Sequence, residues 1–197
     1  MILSPQPLKS GKIQLLWIAE SVGLDAGTER QIRELSKRLD NSRFELHLVT
    51  FDGSQFPSAP ACLKNSVALS LNRIWSIKGI AAVNRLAHYV KAHQIDIVHG
   101  FMMKSSLVAS AMAVMANPKV VLVSRRSLGY DYNWRAVCIS RILTRYATRV
   151  LANSEAAKNA VSRNELVSTD RIDVLYNGVD LRRLRPQFAS VTDVPLP

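Results

Sequence analysis

Two adjacent arginines, Arg125 and Arg126, close an apolar run at residues 120–124. Their planar guanidinium groups match the geometry of phosphate and carboxylate. His99 closes another short apolar run at residues 95–98, where an imidazole titrating near neutrality could serve as general acid or base or donate to a ligand hydroxyl. Gly27 and Thr28, Ser154, and Asn177 with Gly178 stand at further places where an apolar run gives way to a turn. A helix that starts at such a turn leaves amides unpaired and aimed outward, which suits an anion. Each has a plainer reading. It has the arginines solvated or paired with Asp131, His99 bonded to a nearby backbone carbonyl, and Gly23 and Gly27 serving only a tight turn.

The elements that must place these residues follow from hydrophobic period. Residues 12–39 read as a strand, a glycine-bearing loop and a helix; the strand is apolar at consecutive positions, as a strand covered on both faces requires. Thr28 reads as the helix N-cap with Gln31 completing a capping box, and Ile32, Leu35 and Leu39 as the inward face. Strands are expected at 44–51, 65–71, 95–98, 120–124, 150–152 and 172–176. Helices are expected at 74–93 with Ile80, Val83, Ala87 and Val90 inward, after Ser105 or Ser106, at 133–146, and at 154–163 with Ser154 as cap. Strand and helix alternate throughout, which predicts an α/β fold with a doubly wound parallel sheet whose ligands lie at the carboxyl ends of its strands. The residues singled out above would then share one rim.

The 197 residues suffice for a sizeable core, and a formal net charge of +11 favours anionic partners. Two distant cysteines, Cys62 and Cys138, without histidines at ligand spacing, predict neither a metal site nor a disulfide framework, and suit a reducing compartment. No signal peptide is evident, and the longest apolar stretch, residues 107–116, falls short of the roughly 20 residues of a membrane span. Ser-His-Asp order, paired carboxylates and a P-loop are absent. Gly23 and Gly27 are four apart, which fails the dinucleotide fingerprint. Helix-turn-helix and aromatic RNA-binding signatures are missing too, so no nucleic-acid partner is expected.

Five segments taken together resemble the N-terminal domain of family 4 glycosyltransferases of the GT-B fold. Ala26-Gly27-Thr28-Glu29-Arg30 is similar to that family's Gly-Gly-x-Glu-Arg helix start, and residues 44–50 to its second strand. Ile95-Asp96-Ile97-Val98-His99 resembles its Asp-Ile-Val-His element, residues 150–155 its strand-Ser-Glu element, and residues 172–180 its strand-Asn-Gly-Val-Asp ending. Two positions depart: Ala26 replaces the first of the paired glycines, and Phe101 stands where a second histidine is often found.

The resemblance implies a Rossmann-like, acceptor-side half of a retaining transferase, using a nucleotide-sugar co-substrate with no cofactor and no metal. It implies that Gly27, Thr28, Ser154, Asn177 and Gly178 approach donor phosphate or substrate, that His99 lines the cleft, and that Arg125 and Arg126 hold an anionic or lipid-linked acceptor. Residues 1–11 read as a loose lead-in, 12–180 as the domain, and 181–197 as a linker stub toward a C-terminal domain that the chain lacks, so that it would not turn over alone. A cytoplasmic protein is expected. Arg141, Arg145 and Arg149, with Arg135 and Lys158 near, suggest peripheral contact with an anionic membrane, and Leu128, Tyr130, Tyr132 and Trp134 an exposed apolar strip at the rim. The alternative is a non-catalytic Rossmann-like module that binds a phosphorylated ligand or a protein partner.

Overall fold

A computed structural model describes residues 11–23, 27–71, 74–129 and 134–178. The expectations for residues 1–10, for the linker stub at 181–197 and for Tyr130, Asp131 and Tyr132 lie outside them. In chain order the elements are β1 (Ile13–Ala19), α1 (Gly27–Arg38), β2 (Phe44–Thr50), β3 (Leu63–Ala68), α2 (Ile77–Ala92), β4 (Ile97–Gly100), α3 (Met102–Met115), β5 (Val120–Arg125), α4 (Trp134–Leu143), β6 (Arg149–Ala152), α5 (Glu155–Glu165) and β7 (Ile172–Val174).

All strand pairs are parallel, in the order β3-β2-β1-β4-β5-β6-β7. The order reverses between β1 and β4, and at such a switch point the flanking connections diverge and leave a crevice at the carboxyl ends. Alternate residues of each strand serve two cores. Leu16, Ile18, Val98, Val121 and Val123 face the layer of α2, α3 and α5. Leu15, Trp17, Leu46 and Leu48 face Ile32 of α1, together with Phe56, Cys62 and Phe101. The period of two in the strands thus decides which side chain meets which layer.

Several local expectations are corrected. In α3, Ser105 and Ser106 are not caps: the helix starts at Met102 after Phe101, which gives no side-chain cap, and both serines are buried within it. Ser106 Oγ instead donates to Gly100 O and Ser124 O, at 3.2 and 3.3 Å, fastening the helix to two strand ends. Met102, at φ +66°, holds a left-handed conformation to make that start possible. Gly100 is forced by the same contact, since a Cβ there would lie 2.5 Å from Ser105 O. Thr28 falls inside α1 rather than at its cap. In α2 the helix turns Gly79, Ala82, Val83, Leu86, Ala87 and Val90 inward and leaves Ile80 exposed, because small residues allow close approach to the sheet. Leu35 is likewise on the outside of α1. Ser154 caps α5 as expected, its hydroxyl accepting from Ala157 N.

Candidate functional site

The rim at the switch point begins with the turn after β1. Val22 is buried and its amide donates to Ser54 Oγ at 2.9 Å, while Ser54 Oγ donates to Asp52 Oδ1 at 2.6 Å. Arg33 Nη1 donates to Val22 O at 3.1 Å. These bonds tie the turns after β1 and β2 into one base. Gly27 begins α1 at the open edge of this base, and a Cβ at Gly27 would meet nothing within 4 Å. The chain's own packing therefore does not demand a glycine there, and space remains for an approaching group.

His99 lies in β4 with its ring on the face of Phe101, centroids 4.0 Å apart, and its Nε2 2.8 Å from Ser124 Oγ. Burial, reinforced by the positive charge of Arg126, pushes its pKa down to about 3. The expectation of an imidazole titrating near neutrality is corrected: at neutral pH this ring is uncharged and hydrogen-bonds rather than carrying a mobile proton. Phe101 in turn meets Trp17 edge to face at 5.4 Å, so the aromatic floor is held by the core beneath it.

Arg126 stands over this floor, its guanidinium carbon 5.7 Å from the Phe101 centroid. Nη1 donates to Asn177 Oδ1 at 2.9 Å, and Asn153 Nδ2 donates to Arg126 O at 3.2 Å. Its Nε is buried and has no hydrogen-bond partner among the described residues. Burial lowers its pKa from the usual arginine value, although a guanidinium remains charged at any ordinary pH. A positive group with an unmet donor, held over an aromatic floor, favours an anion.

The segment that leaves β7 completes the rim. Leu175 N donates to Ala152 O, Asn177 reaches Arg126, and Gly178 O accepts from Gln31 Nε2 at 2.8 Å. Residues 175–178 thus run back along the carboxyl edge from β6, past β5, to the first turn of α1. Gln31, expected in a capping box, is spent on this crossing.

The structure therefore brings Gly27, His99, Arg126, Asn177 and Gly178 to one edge, with Thr28 in the first turn of α1 and Ser154 next to Asn153. Arg125 is not among them. It is 1% exposed and points to the opposite layer, where Nε and Nη2 donate to the two carboxylate oxygens of Glu165 at 2.7 and 2.8 Å. Ser140 and Thr144 take part in the same network. The reason is the strand period, which turns Arg126 to the rim and Arg125 inward. A hollow beside this pair, lined by Ser127, Leu128, Val137 and Val161 among others, holds about 20 Å³, room for a water and not for a sugar. Phe101 and Asn153 directly follow β4 and β6, where a rim is expected, whereas Ser124 and Gln31 join the site through bonds to remote residues, and of these two only the strand-end position of Ser124 is a signal in the sequence. Of the expected apolar strip, Trp134 is 69% exposed and Leu128 partly buried. Among the described residues no group of three or more His, Cys, Asp or Glu is placed to hold a metal ion, and no helix is long and apolar enough to cross a membrane.

The sequence profile of Glycosyltransferase Family 4 matches residues 26–183. Among curated proteins no sequence match is found. Among solved structures, Anabaena Alr3699/HepE in complex with UDP-glucose is similar at TM-score 0.64 and 16% identity, covering 91% of this chain and 50% of that one. A glycosyltransferase from Rickettsia africae is similar at TM-score 0.65 and 16% identity, covering 93% and 51%. The apo lipopolysaccharide outer core galactosyltransferase WaaB is similar at 0.58 and 20%, covering 85% and 46%. At such identities the likeness is one of fold, and the chain spans about half the length of these structures. With most of its length matched by the family profile, the chain belongs to glycosyltransferase family 4 and has the Rossmann-like fold of a GT-B half.

Proposed function

We propose that this member of glycosyltransferase family 4 is the acceptor-side half of a retaining transferase that moves a hexosyl group from a nucleotide sugar to a glycan or lipid-linked acceptor. The observation that carries the reading is Arg126: a half-buried guanidinium whose Nε has no hydrogen-bond partner among the described residues, set over Phe101 at the switch point of the sheet. Such a group is suited to the phosphate of a sugar nucleotide or of a lipid-linked acceptor. HepE, solved with UDP-glucose, gives the nucleotide-sugar part its support through shared fold.

In this reading Gly27 and the first turn of α1 offer backbone amides to phosphate without a side chain in the way. His99, kept neutral, fixes Ser124 and the aromatic floor and presents imidazole to the cleft as a hydrogen-bonding group. Asn177 and Gly178 hold the crossing segment against Arg126 and α1, so a ligand binding there would be felt by both. A second α/β domain across the cleft holds most of the sugar nucleotide and leaves its diphosphate to the rim of this half, and this half alone does not turn over. No cofactor or metal takes part. The reaction serves polysaccharide biosynthesis at the cytoplasmic face of a membrane, with the chain held there peripherally.

The test is a transfer assay with labelled sugar nucleotides and a lipid extract as acceptor source. The chain alone is expected to transfer nothing; the chain fused to the donor-side half of a family 4 enzyme is expected to label an acceptor, and Arg126→Ala to abolish labelling. Transfer by the unaided chain would refute the half-enzyme claim, and labelling that survives Arg126→Ala would refute the role of the rim.

A further inference from the structure

The surface of α4 carries an arrangement that the rim does not use. Trp134, Cys138, Ile142 and Tyr146 succeed one another at four-residue spacing, the last in the 3-10 turn that continues the helix. Trp134 is 69% exposed, Ile142 59% and Tyr146 55%, and Cys138 is exposed between them. Large apolar side chains repeated along one side of a helix normally mark its buried face, yet here they point outward. Arg135 and Arg145 are exposed beside them, and the guanidinium of Arg135 lies 5.4 Å from the Trp134 ring centroid.

The occupant follows from charge. From Trp134 to Ser154 the sequence contains four arginines and no Asp or Glu. A symmetric contact with a second copy would set Arg135 and Arg145 among their own counterparts, which like-charge repulsion opposes. An anionic bilayer reverses that sign. Tryptophan and tyrosine settle where hydrocarbon meets headgroups, isoleucine just below, and arginine extends its stem through the apolar layer to reach phosphate. Arg141 Nε donates to Asn164 O, and Arg149 pairs with Asp173.

We propose that this face of α4 lies on the surface of an anionic bilayer, with Trp134, Ile142 and Tyr146 in the interfacial layer and Arg135 and Arg145 against lipid phosphates. It rests on the reading that the acceptor is met at a membrane, and it names the surface that meets it. Binding combines apolar burial with attraction between the basic chain and anionic lipid, so it depends on both lipid charge and salt.

The exposed thiol supplies the probe. Cys62 is buried, so an environment-sensitive fluorophore attaches at Cys138 in the full chain, which is then mixed with vesicles of phosphatidylcholine with or without phosphatidylglycerol. The expected result is flotation with the anionic vesicles and a blue shift of the label, both weakened by high salt or neutral lipid. Trp134→Ser with Ile142→Ser, at exposed positions that the fold does not need, is expected to lower binding by about tenfold or more. Trp75→Ser with Ile77→Ser, on the exposed start of α2, is expected to leave it unchanged. Absence of flotation, flotation with an unshifted label, or equal binding by the α4 variant overturns the proposal. So does a label that responds to protein concentration without vesicles, the mark of a second copy on this face. No sugar nucleotide is present, so failure here leaves the transferase reading standing.

Discussion

Arg125 and Arg126 occupy successive positions at the end of β5, yet one is sealed under α4 and α5 while the other rests half-buried on Phe101. Arg125 spends its guanidinium on Glu165, Ser140, Thr144 and Ser124 O. Among the described residues the Arg126 guanidinium rests on Phe101 and donates to Asn177, and its Nε has no hydrogen-bond partner. The difference teaches that residue type does not separate a structural cation from a ligand-seeking one. What separates them is whether the protein satisfies every donor. A fully met cation in a dry layer holds elements together, and a partly met one at a sheet edge leaves capacity for something that comes and goes.

The largest effect is expected on the sealed side. Glu165→Gln leaves Arg125 buried without a counter-charge and should cost about 3–5 kcal/mol of stability, read from urea unfolding, whereas Arg125→Met together with Glu165→Leu should recover most of that loss. Arg126→Ala should change stability by no more than about 1 kcal/mol. Equal losses for Glu165→Gln and Arg126→Ala would erase the contrast between the two arginines.

Glycines sharpen the same contrast at backbone level. Gly100→Ala drives a Cβ into Ser105 O on the packed side and should cost about 1–3 kcal/mol. Gly27→Ala meets open space and should leave stability unchanged or raise it by about 0.4–1 kcal/mol, chiefly through the unfolded chain. Thermal unfolding of the two variants side by side checks this, and a Gly27→Ala loss matching that of Gly100→Ala would contradict the open rim.

A separate effect is expected from pH, and it reaches both faces. His47, on the α2 side of β2, bonds Tyr89 and Gln14, and burial, with the nearby charges of His93 and Lys64, pushes its pKa down to about 4. His99, on the rim side, is down at about 3. Both stay neutral in the folded chain while the unfolded chain takes up protons below about 6.5. Stability is therefore full above that pH and falls as pH drops from about 6.5 toward 4 and then 3. The urea midpoint should be lower near pH 5 than near pH 7, and a flat midpoint across that range would show that neither ring is buried uncharged.

Much of the fold was legible because parallel strands covered on both sides must be apolar at consecutive positions, as in Leu15 to Ile18 and Val120 to Val123. The rim followed from that topology. Its contents followed less well, because the deciding partners are remote: Glu165 lies 40 residues from Arg125, Asn177 lies 51 from Arg126, and Gly178 lies 147 from Gln31. The opposite facing of the two arginines lies in the strand period, which turns successive side chains to opposite faces. The start of α3 was misplaced since Phe101 offers no cap, and Ile80 was turned the wrong way because Gly79 and Ala82, rather than bulk, govern how α2 meets the sheet. Outward apolar stripes such as that of α4 defeat periodicity in principle, because the same spacing serves a core and an interface.

The central claim is that Arg126, and not Arg125, faces ligand, and titration of the chain with UDP followed by backbone amide resonances tests it most directly. The account predicts shifts at Gly27, Thr28, Arg126 and Gly178 that vanish in Arg126→Ala while that variant keeps its fold. Shifts confined to other residues, or unchanged in Arg126→Ala, would contradict it.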